Sequence, residues 1–229
     1  MYDEVDQERL IERLWSDGYA LGGRSLDDET CAALVRGYAD DTRYRSTVTM
    51  QAHGFGRGEY RYFAYPLPAE VAVLRDRLYG MLAPVANAWN TALGASERYP
   101  PVLGEYLARC HAAGQLRPTP LVLSYGAGDY NCLHQDVYGE LAFPLQVTVP
   151  LSARSEYAGG ESVFVQQRPR AQSRASVALP ERGQLLVFAN RYRPVRTLSG
   201  FARSNVRHGV ADVRSGTRFA LGLIFHDAL

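Results

Sequence analysis

Two textures of hydrophobic patterning divide the chain near Pro118. Before it, apolar residues recur at helical spacing. "DQERLIERLW" reads as an amphipathic helix, and "SLDDETCAALVRGYA" as an acidic N-cap region followed by a short helix. "AEVAVLRDRLYGMLAPVANAWNTAL" reads as a longer one, kinked or broken at Pro84, and "PVLGEYLARCHAAG" as another. Between these, "MQAHGFGRGEYRYFAYPLP" is glycine-punctuated and aromatic, the pattern of a hairpin or flap. After Pro118 come short β-rich runs separated by Gly, Pro and Ser: "TPLVLSYG", "FPLQVTVPLS", "ESVFVQQ", "ASVALP", "GQLLVFAN", "SNVRHGVADV" and "TRFALGLIFHD". Strands at this spacing, with no helical pattern between them, predict a sandwich or barrel rather than a parallel sheet. An eight-stranded jelly roll fits, mainly β with α, its face buttressed by the N-terminal helices. No linker separates the halves, so 1–229 reads as one domain, with 1–117 as helical support and flap and 118–229 as the jelly-roll core.

The last run is the most legible. Alternation puts Phe219, Leu221, Leu223 and Phe225 on one large apolar face, suited to packing on helices. The other face carries Arg218, Ala220, Gly222, Ile224 and His226, a cation followed by small residues that leave room for an anion. The competing reading is an arginine salt-bridged at the strand mouth.

Size and composition narrow the field. With 229 residues, 46% hydrophobic, the chain can bury a sizeable core. No apolar run is long enough to span a membrane, the start "MYDEVDQERL" does not look like a targeting signal, and three scattered cysteines make no disulfide framework, so a reducing cytoplasm is the default. All 25 basic residues are arginine, and eleven of them lie from Arg168 to Arg218 against two acids, Glu181 and Asp212. That basic third fits either an anionic partner, nucleic acid included, or a solvated face.

Candidate chemistry begins in "YGAGDYNCLHQDVYGE", Tyr125 to Glu140. In an extended strand residues two apart share a face, so His134 and Asp136 project together. An imidazole and a carboxylate make two-thirds of a common iron(II) ligand set. His208 in "SNVRHGV" supplies a third candidate, and Arg218 opens the last strand ten residues later. Cys132, two residues before His134, is expected to fill the strand's core. His53, His111 and His226 are expected to be structural or surface residues.

This order of elements resembles the Fe(II)/2-oxoglutarate-dependent dioxygenases, whose double-stranded β-helix is a jelly roll. Tyr125 and Gly128 before His134, "YAGGESVF" between the ligand strands and "RGQLLVFAN" before the distal histidine agree with it. The resemblance implies His134, Asp136 and His208 as iron ligands, with 2-oxoglutarate and O2 on the open positions. It implies Arg218 at the far carboxylate of 2-oxoglutarate and a hydroxyl contact from Tyr125. A closer resemblance, carried by "RSTVTM", "GRGEYRYFAYPLP", "LARCHAAGQLRPTPL", "SYGAGDYNCLHQDVYGELAFPLQV" and "RHGVADVRSGTRFALGLIFHDA", is to an uncharacterised bacterial oxygenase family, AlkB-like by remote similarity. That likeness implies oxidative demethylation of alkylated DNA or RNA bases. The alternative is hydroxylation of a small metabolite or of a peptide side chain. Where AlkB-type enzymes carry a second arginine six residues after the first, this chain has Ile224.

Overall fold

The computed structural model describes residues 4–136, 138–167 and 172–229; Arg168 and Arg170 of the basic third lie outside these described residues. In chain order, α1 (Glu4–Asp17), β1 (Tyr19–Arg24), α2 (Asp28–Arg36) and β2 (Tyr44–Thr49) are followed by β3 (Gly56–Arg57) and β4 (Glu59–Phe63). The helices end with α3 (Ala69–Ala92) and α4 (Leu103–Ala112). Next come β5 (Leu121–Tyr125), β6 (Tyr130–His134), β7 (Leu145–Pro150), β8 (Tyr157–Gly159), β9 (Ser162–Gln167) and β10 (Arg174–Ala178). The chain closes with β11 (Gln184–Ala189), β12 (Tyr192–Thr197), β13 (Gly200–Val210), β14 (Val213–Gly216) and β15 (Arg218–Leu223).

Two antiparallel sheets face each other. The larger has the order β1-β11-β7-β15-β5-β4-β2, and the smaller the order β10-β9-β13-β6-β3, with β12 paired to β13. Alternation along the large sheet decides what lies on either side. Val122, Leu145, Val147, Val149, Leu185, Val187, Leu221 and Leu223 join one buried cluster with Leu10 and Leu14 of α1, Leu34 of α2, Leu74, Leu78, Leu82 and Trp89 of α3 and Tyr106 of α4. The helices therefore cover the outer face of the large sheet, as the pattern predicts. The opposite face of the same strands, bearing Gln146, Thr148, Arg218 and Gly222, looks into a cavity between the sheets.

Two expectations change. α3 runs unbroken through Pro84. The proline deprives the Gly80 carbonyl of its helical donor, a loss of roughly 3 kcal/mol. Burial of Leu74, Leu78, Leu82, Val85 and Trp89 against the sheet, at about 1.5–3 kcal/mol for each large side chain, keeps the helix continuous through it. Secondly, the first 117 residues are not only helix and flap. β1 and the β2–β4 pair supply both edges of the large sheet. The aromatic "YRYF" is thus a sheet strand, with Tyr60 opposite Leu123 and Tyr62 opposite Leu121. Among the described residues, no helix is long and apolar enough to cross a membrane.

Candidate metal centre

β6 and β13 pair with His134 directly opposite His208. Both imidazoles point inward, their ring centroids 4.3 Å apart. Asp136 lies just past the end of β6, where its main chain is held from outside the sheet. The Asp136 N–H donates to the Asn190 side-chain oxygen at 2.9 Å, and the Asn190 amide donates back to the Asp136 carbonyl. Gln135 donates to the carbonyls of Arg191 (2.8 Å) and Val206 (2.9 Å). These contacts turn the Asp136 carboxylate toward the two histidines.

The three ligand atoms all lie within 4.8 Å of one another. His134 Nε2 is 3.4 Å from Asp136 Oδ1, and His208 Nε2 is 3.2 Å from Asp136 Oδ2. Adjacent ligands at roughly 2.1 Å from an octahedral ion are separated by about 3.0 Å, so both edges are close to the spacing a metal requires. His134 Nδ1–H donates to the Cys132 carbonyl at 2.8 Å, which leaves the Nε2 lone pair free to coordinate. Cys132 serves the site through its main chain. Its thiol is exposed rather than filling the strand's core, because the β6–β13 register shifts between His208 and Val210.

Burial pushes the Asp136 carboxyl up, but hydrogen bonds and charge from His134 and His208 outweigh it and hold the group well below the usual carboxylate range. At His134 burial pulls the imidazole down, and the contact with Asp136 more than reverses that. At His208 burial wins and the imidazole stays below its ordinary value. Two further side chains complete the surround, and neither is evident from a ligand motif. Tyr138 donates its hydroxyl to Asp136 Oδ1 at 2.5 Å, and Gln146 of β7 donates to Asp136 Oδ2 at 3.0 Å. The one signal for Gln146 in the sequence is a polar residue inside the apolar run "FPLQVTVPLS".

Arg218 and Tyr125 face each other across β15 and β5. Arg218 is 2% exposed, and its Nε is buried without a hydrogen-bond partner. Among the described residues no carboxylate is paired with it, so the salt-bridged reading of this arginine does not hold. Its guanidinium lies 5.5 Å from the centre of the Tyr125 ring, and the Tyr125 hydroxyl accepts from Asn131 at 3.3 Å. Gly160, at φ +63°, packs on the arginine stem; a Cβ there would lie 2.8 Å from Arg218 Cδ. A side chain at that position would push the guanidinium out of place.

One cavity of about 220 Å³ is lined by His134, Asp136 and His208 and also by Arg218 and Tyr125. The rest of its wall combines apolar and aromatic residues, Phe55, Tyr60, Tyr62 and Tyr138 among them, with a few polar ones such as Asn131, Gln146 and Thr148. The donor set is right for a divalent first-row metal: two imidazole nitrogens and one carboxylate oxygen on one face. Arg218 is a cation in want of an anion, as a dicarboxylate would supply. The other histidines stand apart. His53 stacks on Phe55, and His111 meets Asp227 at 2.9 Å. His226 is fully buried and accepts from the Phe143 N–H at 3.1 Å.

Residues 58–228 match the Oxygenase-NA family, described as an oxygenase catalysing oxidative methylation of damaged DNA. Two uncharacterized proteins of Mycobacterium tuberculosis, from strains CDC 1551 / Oshkosh and H37Rv, are each 51% identical over 167 residues, 72% of this chain and 72% of theirs. Similar solved structures include a 2OG-Fe(II) oxygenase family oxidoreductase from Burkholderia pseudomallei, with a TM-score of 0.54, 16% identity and coverage of 100% of this chain and 95% of that one. A Pseudomonas putida prolyl-4-hydroxylase has a TM-score of 0.52, 13% identity and coverage of 97% and 99%. The α-ketoglutarate-dependent epimerase SnoN from nogalamycin biosynthesis has a TM-score of 0.57, 17% identity and coverage of 96% and 82%. At such identities these likenesses speak for the shared jelly-roll fold.

Proposed function

Because this chain belongs to the Oxygenase-NA family, we propose that it oxidatively demethylates alkylated nucleic-acid bases at the centre formed by His134, Asp136 and His208. It is a 2-oxoglutarate-dependent dioxygenase with iron(II), 2-oxoglutarate and O2 as its cofactors. In this reading His134 Nε2, His208 Nε2 and the Asp136 carboxylate would hold iron(II), the donor set of non-haem iron oxygenases. Arg218 binds the far carboxylate of 2-oxoglutarate through a two-pronged, charge-assisted contact, and the Tyr125 hydroxyl adds a further donor. When bound, iron and cosubstrate supply oxidative decarboxylation to succinate and CO2, coupled to insertion of one oxygen atom into a substrate C–H bond.

The observation that carries this reading is the buried Arg218, its Nε without a hydrogen-bond partner, in the same cavity as a preformed two-histidine, one-carboxylate set. The protein's part is to orient and to exclude water. Tyr60, Tyr62 and Phe55 offer flat apolar surface to a planar base, and stacking of this kind is worth about 1–3 kcal/mol per base. Oxidation of an N-methyl group gives an N-hydroxymethyl group, which expels formaldehyde and leaves the base with an N–H. Exposed Arg203 and Arg207 on β13 are candidate phosphate contacts. The reading takes 1–229 as one catalytic domain, supported by the core that the helices share with the large sheet.

The test is release of succinate and formaldehyde from aerobic protein with iron(II) and 2-oxoglutarate, with and without N-methylated DNA or RNA oligonucleotides. Matched, stimulated release supports demethylation. Succinate that no oligonucleotide stimulates points to a small metabolite or a peptide side chain as substrate, and no succinate at all refutes the assignment of the site.

A further inference from the structure

The hairpin of β12 and β13 carries charge that the metal centre does not use. From Arg191 to Ala211 there are five arginines and no acidic residue. Arg193 turns inward and donates to the Trp15 carbonyl and to the Gln166 side chain. Arg191, Arg196, Arg203 and Arg207 are exposed, and none of them is paired with a carboxylate among the described residues. Directly opposed residues of antiparallel strands share a face of the sheet. The register therefore places Tyr192 with Asn205, Pro194 with Arg203, and Arg196 with Phe201 on one side of the hairpin, and alternation adds Arg207 to it. Two rings on this face are covered by arginine. Arg203 Cζ lies 4.8 Å from the centre of the Tyr192 ring, and Arg196 Cζ lies 5.9 Å from that of Phe201, which is 40% exposed. An open face on which rings alternate with unpaired cations suits planar bases joined by phosphates. An exposed cation–π contact is weaker than a base stacked on a ring. An incoming base therefore takes the place of the guanidinium, which is freed for the adjoining phosphate.

We propose that the outward face of the β12–β13 hairpin binds an unpaired strand of nucleic acid, beside the metal centre and not within it. The inference rests on the reading of this protein as one that acts on nucleic-acid bases, and it narrows that substrate to single strands. In a duplex each base is already stacked on its neighbours, so Tyr192 and Phe201 would have nothing to receive. An anionic membrane would also attract the arginines, but it needs an extended apolar face to bury, and the two-residue tip of the hairpin offers only Leu198 and Ser199. Glu97 and Glu140 share a cleft of about 550 Å³ with Arg191, Tyr192 and Arg203. Arg196 and Arg207, outside that cleft, are therefore expected to carry most of the phosphate contact.

The experiment follows binding of the whole protein to a fluorescent, unmodified thymidine oligonucleotide across a salt series, beside a duplex of the same length and phosphatidylserine vesicles. Wild type should bind the single strand more tightly than the duplex, with an affinity that falls steeply as salt rises. The double variant Arg196→Gln, Arg207→Gln loses two surface cations and should lower the slope of log affinity against log salt by about 1.4. Phe201→Leu keeps an apolar contact for Trp15; it should weaken single-strand binding about 3- to 30-fold and leave that slope unchanged. Single-strand affinity and slope that both variants leave as in wild type, tighter binding of the duplex, or binding of vesicles alone overturns the proposal. Formaldehyde release stimulated by methylated oligonucleotides, in a protein whose binding neither variant alters, removes this surface and leaves demethylation standing. Single-strand binding that depends on the hairpin, with no stimulated release, instead refutes demethylation and keeps the surface.

Discussion

Arg218→Met separates a ligand-binding arginine from a structural one, because the two roles predict opposite outcomes. The guanidinium is almost fully enclosed, its Nε has no partner, and the ring of Tyr125 is 5.5 Å away. An arginine that held the fold together would be salt-bridged, and breaking a buried pair costs about 3–5 kcal/mol. Arg218 has no such partner among the described residues. Methionine fills a similar volume and removes a cation whose burial opposes folding. What is lost is a cation–π contact of roughly 0.5–2 kcal/mol, against a desolvation penalty at least as large. The variant should therefore melt no lower than wild type. Binding of 2-oxoglutarate loses two charge-assisted hydrogen bonds, each worth about 1.5–3 kcal/mol. Even at the low end that is about 3 kcal/mol, or more than a hundredfold in Kd. The assay is anaerobic calorimetric titration of 2-oxoglutarate into Co(II)-loaded protein, beside thermal melts of both metal-free proteins. A melting temperature several degrees lower, with 2-oxoglutarate bound as tightly as before, would refute the reasoning.

Gly160→Ala should act on the same site from behind. Its methyl group would come 2.8 Å from Arg218 Cδ, so the KM for 2-oxoglutarate should rise about tenfold while Co(II) affinity stays put. Asn190→Ala strips both hydrogen bonds from the Asp136 main chain; at about 1–3 kcal/mol per unsatisfied buried group, denaturant unfolding should show a loss of about 3 kcal/mol together with weaker Co(II) binding. His226 is held down to about 4, first by burial and then by the charge of Arg75. A lowered folded-state value means the unfolded chain takes up the proton first. The contribution of His226 is therefore complete above its ordinary value of 6.5 and is lost as pH falls toward 4, about 3 kcal/mol in all. His226→Asn keeps an acceptor for the Phe143 N–H, and urea melts across that range should show a shallower acid loss than wild type.

What the sequence made legible follows from which interactions are local. β15 could be read residue by residue because strict alternation separates Phe219, Leu221 and Leu223 from Arg218, Ala220 and Gly222, and the two faces do meet helices and cavity. His134 and Asp136 were legible for the same reason. β1 escaped notice because "YALGGR" has neither β-branched residues nor clean alternation; it is a strand because β11 offers it an edge. β12 was hidden by Pro194, tolerated in a strand paired on one side only, to β13. Pro84 misled in the other direction, since its local penalty is smaller than the burial that surrounds it. Gln146, Asn190 and Tyr138 carry no motif, because their role is set by what lies across the cavity and not by their neighbours in the chain. The basic third was legible only as a sum. Arg193 donates to the carbonyl of Trp15 and to Gln166, Arg182 meets Asp28, and Arg218 turns into the cavity, so only part of that charge faces outward.

On the proposed reading of the triad as metal ligands, the pairing of His134 with His208 has a consequence for metal uptake. The two imidazoles come from strands that are neighbours in the sheet and distant along the chain, and their opposition depends on a single register. A slip of one residue would turn one ring to the outside and erase the site, although most of the sheet would persist. On that reading, ion uptake requires the small sheet to be in the correct register. A nascent chain that has not yet released β13 has only two of the three candidate ligands, and a misregistered one lacks an inward imidazole. Metal stoichiometry in a purified sample therefore measures the fraction of molecules whose strands have closed in the correct frame.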